Sequence, residues 1–172
     1  MSMAESHQSF NGAVVVMGVS ACGKTSVGEA LAAKLHVRFV EGDKLHPPAN
    51  VAKMSAGHPL TDEDRWPWLA KVGASLKGDK GVIASCSALK KIYRQRINQS
   101  AGRSVSFILL NGDKAILQKR IAARKGHFMP PSLLESQLAT LEIPGPDEIA
   151  ITIDIALPLE TQVAQTAAFL LK

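Results

Sequence analysis

The stretch Ala13-Val14-Val15-Val16-Met17-Gly18-Val19-Ser20-Ala21-Cys22-Gly23-Lys24-Thr25-Ser26-Val27-Gly28-Glu29-Ala30-Leu31 decides the fold of this chain. Residues 18–25 fit G-x-x-x-x-G-K-[ST], after a β-branched apolar run and before a helical pattern, which is the strand, loop and helix context the motif needs. Such a loop turns backbone N–H groups inward around phosphate oxygens, and glycine tolerates the dihedrals and close approach involved. Gly18, Val19, Ser20, Ala21, Cys22, Gly23, Lys24, Thr25 and Ser26 are therefore the expected ATP-phosphate site. Lys24 adds a mobile cation for the β- and γ-phosphates and is expected to face solvent without ATP, and Thr25 offers a hydroxyl to Mg²⁺ at the positive end of the helix. An incidental glycine-rich turn is the alternative, and motif, strand and helix together oppose it. Cys22, at a helix N-terminus among inward N–H groups, is expected to favour the thiolate.

Working outward, apolar runs at 13–17, 37–40, 82–84, 105–110 and 149–155 predict strands. Between and after them, apolar residues return at three- and four-residue steps over 25–35, 66–76, 88–98, 114–123 and 159–171, which predicts helices. That alternation is the pattern of an α/β fold: a five-stranded, doubly wound parallel sheet with helices on both faces. Two stretches interrupt it: 42–64, rich in Pro, His and Gly, and 124–146, with a short helical pattern within 131–141. Insertions on a rigid scaffold are where binding residues and lids usually lie.

With 172 residues, 46% of them hydrophobic, the chain can bury one substantial core, expected over 12–172 behind a loose leader at 1–11. The leader has no apolar run of signal-peptide type, and no segment reaches the length of a membrane span. Cys22 and Cys86 lie far apart in no redox or metal spacing, which suits a reducing compartment, the cytoplasm. The five histidines form no zinc pattern. A net charge of +5 raises nucleic-acid binding, but the basic residues are dispersed and no RNA-binding aromatic signature is present. Two anionic small-molecule substrates, ATP and an acidic acceptor, account for the charge more simply.

Directly after the second predicted strand come Glu41 and Asp43. In a parallel sheet both lie at the carboxyl edge beside the phosphate loop. One carboxylate can hold Mg²⁺ through water, the role expected of Glu41, and the other can accept or orient a substrate hydroxyl, the role expected of Asp43. Taken alone, Asp43 also fits an ordinary turn.

The strings EGDKLHPPANVAKMSAGHPLTDEDRWPWL, IASCSALKKIYRQRI and RIAARKGHFMPPSLLESQLATLE resemble those of gluconate kinases, small P-loop sugar-acid kinases related to shikimate and nucleoside monophosphate kinases. With the phosphate loop, the resemblance runs over 14–144. It implies the three-layer P-loop kinase fold with a mobile lid at about 124–146, a homodimer, and transfer of the ATP γ-phosphoryl group to the 6-hydroxyl of D-gluconate. Where the family commonly has Gly-Ser, this chain has Ala21-Cys22, which implies a stiffer loop.

Within that resemblance, Arg65 reads the gluconate carboxylate through its bidentate fork. Because proline is tolerated in a helix's first turn, Pro67 predicts a helix start at 64–66 with Arg65 at its positive end. A Thr61 cap with Asp64 is the competing start, and a surface ion pair with Asp62 or Asp64 the competing role for Arg65. His46, Lys53, Ser85, Lys90 and His127 complete the expected acceptor site. Ser85 also fits a helix cap, and His127 an exposed loop histidine. Trp66 and Trp68 are expected to fill space beneath the substrate loop, and Lys91, Arg94 and Arg96 to form a solvated face. Arg120 and Arg124 repel at four-residue spacing unless an anion compensates. The resemblance gives Arg120 the adenine and Arg124 a catalytic contact to phosphate. Another sugar acid or a shikimate-like compound is the alternative acceptor. A GTPase-type switch protein would need N-K-x-D and D-x-x-G, which the chain lacks.

Overall fold

The structure, a computed structural model, describes residues 9–124 and 131–172. Strands β1 (Ala13–Met17), β2 (Arg38–Glu41), β3 (Val82–Ser85), β4 (Val105–Asn111) and β5 (Ala150–Asp154) alternate with helices. These are α1 (Lys24–Leu35), α2 (Pro48–Ser55), α3 (Asp62–Ser75), α4 (Lys91–Ala101), α5 (Lys114–Ala123), α6 (Pro131–Thr140) and α7 (Leu159–Leu170), with a 3₁₀ turn at Gly42–Leu45. All strand pairings are parallel, in the order β2-β3-β1-β4-β5.

The unbroken apolar character of β1 follows from its central place, where side chains of both faces are buried. Ala13, Val15 and Met17 join the layer of α3 and α4 with Trp68, Leu69, Val72, Tyr93 and Ile97. Val14 and Val16 join the opposite layer with Val27 and Leu31 of α1, Leu134 of α6 and Val163 of α7. Strands β3 and β2 extend the sheet to one side of β1, and β4 and β5 to the other. The loops at the carboxyl ends therefore part at β1, and the phosphate loop opens into that crevice. Among the described residues, no helix is long and apolar enough to cross a membrane.

Three expectations need correction. Helix α3 begins at Asp62, not at 64–66: Thr61 Oγ1 accepts from the Asp64 amide (3.2 Å) and Asp64 Oδ2 from the Thr61 amide (2.8 Å), a reciprocal capping box. Pro67 thus lies inside the helix, where the i−4 carbonyl it leaves without a donor belongs to Glu63; both residues are exposed, so water can satisfy that carbonyl. Arg94 is not on a solvated face. It lies on the inner side of α4 with Tyr93 and Ile97, its Nε and Nη2 donating to Glu148 (2.6 and 3.2 Å) and its Nη1 to the Ala88 and Leu89 carbonyls (2.8 and 3.2 Å). Arg124 follows the end of α5 in extended conformation, so it is not stacked one turn beyond Arg120.

Candidate active site

The phosphate loop links β1 to α1 through backbone that few residues adopt. Gly18 and Gly23 have φ of 143° and 100°, and Ala21, despite its Cβ, has φ of 67°. Gly23 caps α1, whose first turn contains no acidic residue, so the positive end of the helix dipole is not neutralised by its own side chains. Lys24 does not face solvent as expected: Nζ folds back to donate to the Gly18 and Val19 carbonyls (3.1 and 3.0 Å). Cys22 is buried, at 1% exposure, among the apolar residues behind the loop, which removes the accessibility a reactive thiol requires.

Across the crevice, β2 runs beside β3 with Glu41 opposite Ser85. Glu41 is held from two sides, Oε2 accepting from Thr25 Oγ1 and Oε1 from Ser85 Oγ, both at 2.6 Å. Ser85 Oγ also accepts from the Gly42 amide (3.1 Å), so its single proton is committed to Glu41. A Cβ on Gly42 would overlap the Ser85 carbonyl, and Trp68 Nε1 donates to the Gly42 carbonyl (2.8 Å). These contacts fix the backbone of the turn that carries Asp43. Among the described residues, no side chain pairs with the exposed Asp43 carboxylate. Asp43 and Lys24 both act electrostatically on the buried Cys86 thiol, which burial raises to about 12.

His46 stacks on Trp68 (centroids 3.9 Å apart, 18° between planes), and Asn50 Nδ2 donates to His46 Nδ1 (3.3 Å) and to the Asp64 carbonyl (2.9 Å). Burial lowers His46 from 6.5 to about 4, with Asp43 opposing the shift and Arg65 adding to it. The ring is neutral at pH 7 and lies within the fields of both residues. The unfolded chain takes up this proton near 6.5 and the folded chain only near 4, so the stability contributed is complete above pH 6.5 and lost as pH falls through that window. The urea midpoint is expected to fall more steeply from pH 7 to about 4.5 in the wild type than in His46→Gln. Equal slopes would show that the ring is not held neutral by burial.

Lys53, on α2, donates to Asp64 Oδ2 (2.6 Å), which holds the Asp64 carboxyl at about 2. Arg65 pairs with neither nearby aspartate. Its Nη1 donates to the Leu60 carbonyl (2.5 Å) and to Tyr93 Oη (3.1 Å), with the guanidinium 5.2 Å from the Tyr93 ring centroid. Tyr93 Oη in turn donates to Asp62 Oδ1 (2.5 Å), which also accepts from Lys90 Nζ (3.3 Å). The Nε and Nη2 donors of Arg65 have no protein partner among the described residues, and that edge is the fork a carboxylate fits. Tyr93 and Asn50 are site residues that sequence reading missed; the only signal for Tyr93 was its four-residue spacing from Ile97 on one helix face.

Arg120 donates through Nη1 to the Ala21 and Cys22 carbonyls (3.2 and 3.3 Å) and through Nη2 to the Ile155 carbonyl (3.1 Å). Arg124 is exposed at the end of α5. The expected contact at His127 lies outside the described residues.

A family model described as an AAA domain matches residues 14–144. The chain is similar to a gluconokinase of Gluconobacter oxydans (strain 621H), with 49% identity over 144 residues, 81% of this chain and 80% of that one. It is also similar to the crystal structure of a gluconokinase from Sinorhizobium meliloti 1021 (TM-score 0.87, 49% identity, 94% and 93% of the two chains). A shikimate kinase from Bacteroides thetaiotaomicron shares the fold at a TM-score of 0.63 and 17% identity, over 94% of this chain and 99% of that one.

Proposed function

Because this chain belongs to the gluconokinase family, we infer that it is an ATP-dependent gluconate kinase and propose that the hydroxyl it phosphorylates is the one on carbon 6. The observation that carries the reading is the disposition of charge across the crevice. Lys24 and the acid-free start of α1 follow β1, and the Thr25 hydrogen bond to Glu41 ties that helix start to the turn that carries the unpaired Asp43. The neutral His46, at the end of the turn that carries Asp43, stacks on Trp68 of α3, the helix that also carries the Arg65 fork.

In this mechanism the phosphate loop and Lys24 bind the β- and γ-phosphates. Asp43 orients the acceptor hydroxyl and takes its proton as the oxygen attacks in line. Arg65 holds the sugar-acid carboxylate, with Lys90 and Asp62 balancing charge nearby. Arg120 and Arg124 serve the nucleotide. Glu41 and Thr25 supply hard oxygen donors 2.6 Å apart, a set that suits Mg²⁺ completing its shell with water and phosphate oxygens. When bound, Mg²⁺ would neutralise charge developing on the transferred group. Ser85 and Lys53 support the site through Glu41 and Asp64. We place the enzyme in the cytoplasm, consistent with its two free cysteines, and as a homodimer on the family resemblance alone.

Coupled ADP release measured across gluconate, shikimate, other sugar acids and nucleoside monophosphates tests the acceptor, and NMR of the product locates the phosphate. Turnover with shikimate or a nucleotide in preference to gluconate would overturn the reading. Arg65→Gln is expected to raise KM for gluconate by roughly 10–100-fold with little change in MgATP affinity, because the lost charge-assisted contact acts already in the ground state. Unchanged gluconate KM with weakened ATP binding would make Arg65 a nucleotide residue.

A further inference from the structure

We propose that Gln137 of α6 is a positioning residue for the phosphate loop, holding it in its nucleotide-receiving shape before any nucleotide binds. The Ser20 amide donates to Gln137 Oε1 at 2.7 Å, a contact spanning 117 residues of sequence. Ser20 immediately precedes Ala21, whose φ of 67° is unfavourable for a residue with a Cβ and persists only where its surroundings over-determine it. They do so here from both sides. Gln137 fixes the amide before Ala21, and Arg120 Nη1 fixes the Ala21 and Cys22 carbonyls after it.

The acceptor is itself rigidly placed. Leu134 is 1% exposed in the core beside β1 and α1, and Leu138 and Leu141 pack against the same core. Past the end of α6, the Glu142 amide donates to the Leu89 carbonyl (2.8 Å), and Glu142 Oε1 accepts from the Lys91 amide (3.0 Å). The chemistry of the side chain fits the task as well. A neutral amide supplies an acceptor oxygen beside a phosphate site without adding a negative charge that would repel ATP.

The inference rests on reading the loop as an ATP site. Its test measures MgATP affinity by calorimetry, gluconate KM and Tm for Gln137→Leu, Gln137→Glu, Ala21→Gly and the Ala21→Gly/Gln137→Leu double variant. Gln137→Leu is expected to weaken MgATP binding about three- to tenfold with gluconate KM unchanged. Gln137→Glu, nearly isosteric and able to keep the contact, is expected to weaken it at least as much through its charge. In the Gln137→Leu background, Ala21→Gly is expected to regain most of the loss that Gln137→Leu causes, because glycine holds a positive φ without a clamp. Wild-type affinity in Gln137→Leu, or no recovery in the double variant, would overturn the proposal while leaving the kinase reading intact. A wild-type chain that binds no MgATP would overturn both.

Discussion

In Asp43→Asn, kcat is expected to fall by roughly 10²–10⁴-fold while MgATP affinity holds, the range of general-base contributions. The substitution preserves shape and removes the proton acceptor. Its site tolerates the change, because the turn is fixed through the Gly42 backbone, by Ser85 Oγ on the amide and Trp68 Nε1 on the carbonyl, and not through the Asp43 carboxylate. No side chain among the described residues depends on that carboxylate for a partner. The effect should therefore appear in turnover and not in folding. Steady-state kinetics with gluconate check it: a kcat within about threefold of wild type would remove Asp43 from the proton-transfer role.

Lys24→Ala is expected to lower phosphoryl transfer by roughly 10²-fold or more, since stabilising the charge of the transferring group is a large catalytic term. Lys24 is half-buried and outside the two apolar clusters, so its loss opens no core cavity. It does release the Gly18 and Val19 carbonyls, although Val19 still accepts from the Cys22 amide (3.3 Å). The folded chain should thus survive with an unchanged far-UV spectrum and a Tm within a few degrees. Near-normal activity in purified Lys24→Ala would mean that the loop does not carry the transferred phosphate.

What the sequence disclosed about this molecule was set by the range of the signal. The sheet and its parallel topology were legible because β1, α1 and α5 state their character locally, in a β-branched run, a glycine loop and a three- to four-residue period. The predicted bounds of β1 and α5 match the structure residue for residue. The start of α3 was misplaced because two local rules conflicted. The proline rule points to 64–66, but the Thr61 and Asp64 box, with two backbone amides satisfied, fixes the start at Asp62. Helix α2 went unread because Pro47 and Pro48 look like loop, although proline suits a helix's first position.

Other contacts absent from the sequence reading join partners distant in sequence. Nothing near Arg94 announces Glu148, and nothing near Lys53 announces that Asp64 takes its ammonium. The site's residue types and sheet edge were legible from motif and order. Ser85 facing Glu41 across two strands and Tyr93 linking Arg65 to Asp62 were not, because they arise only when the layers close.

The central position of β1 also bears on how the chain folds as it is made. Its five residues are among the first of the fold to be synthesised, yet its neighbours in the sheet begin only at Val82 and Val105. At roughly 5–20 residues per second, some 70 residues of delay leave β1 with two unpaired edges for about 3–14 s on the ribosome, and one edge stays open until β4 follows. A strand that is apolar on both faces and has two open edges is a template for association with other chains. During that interval the chain depends on translation rate and on protection of the open strand, because the phosphate loop cannot take its place until β3 and β4 have closed on both sides of β1.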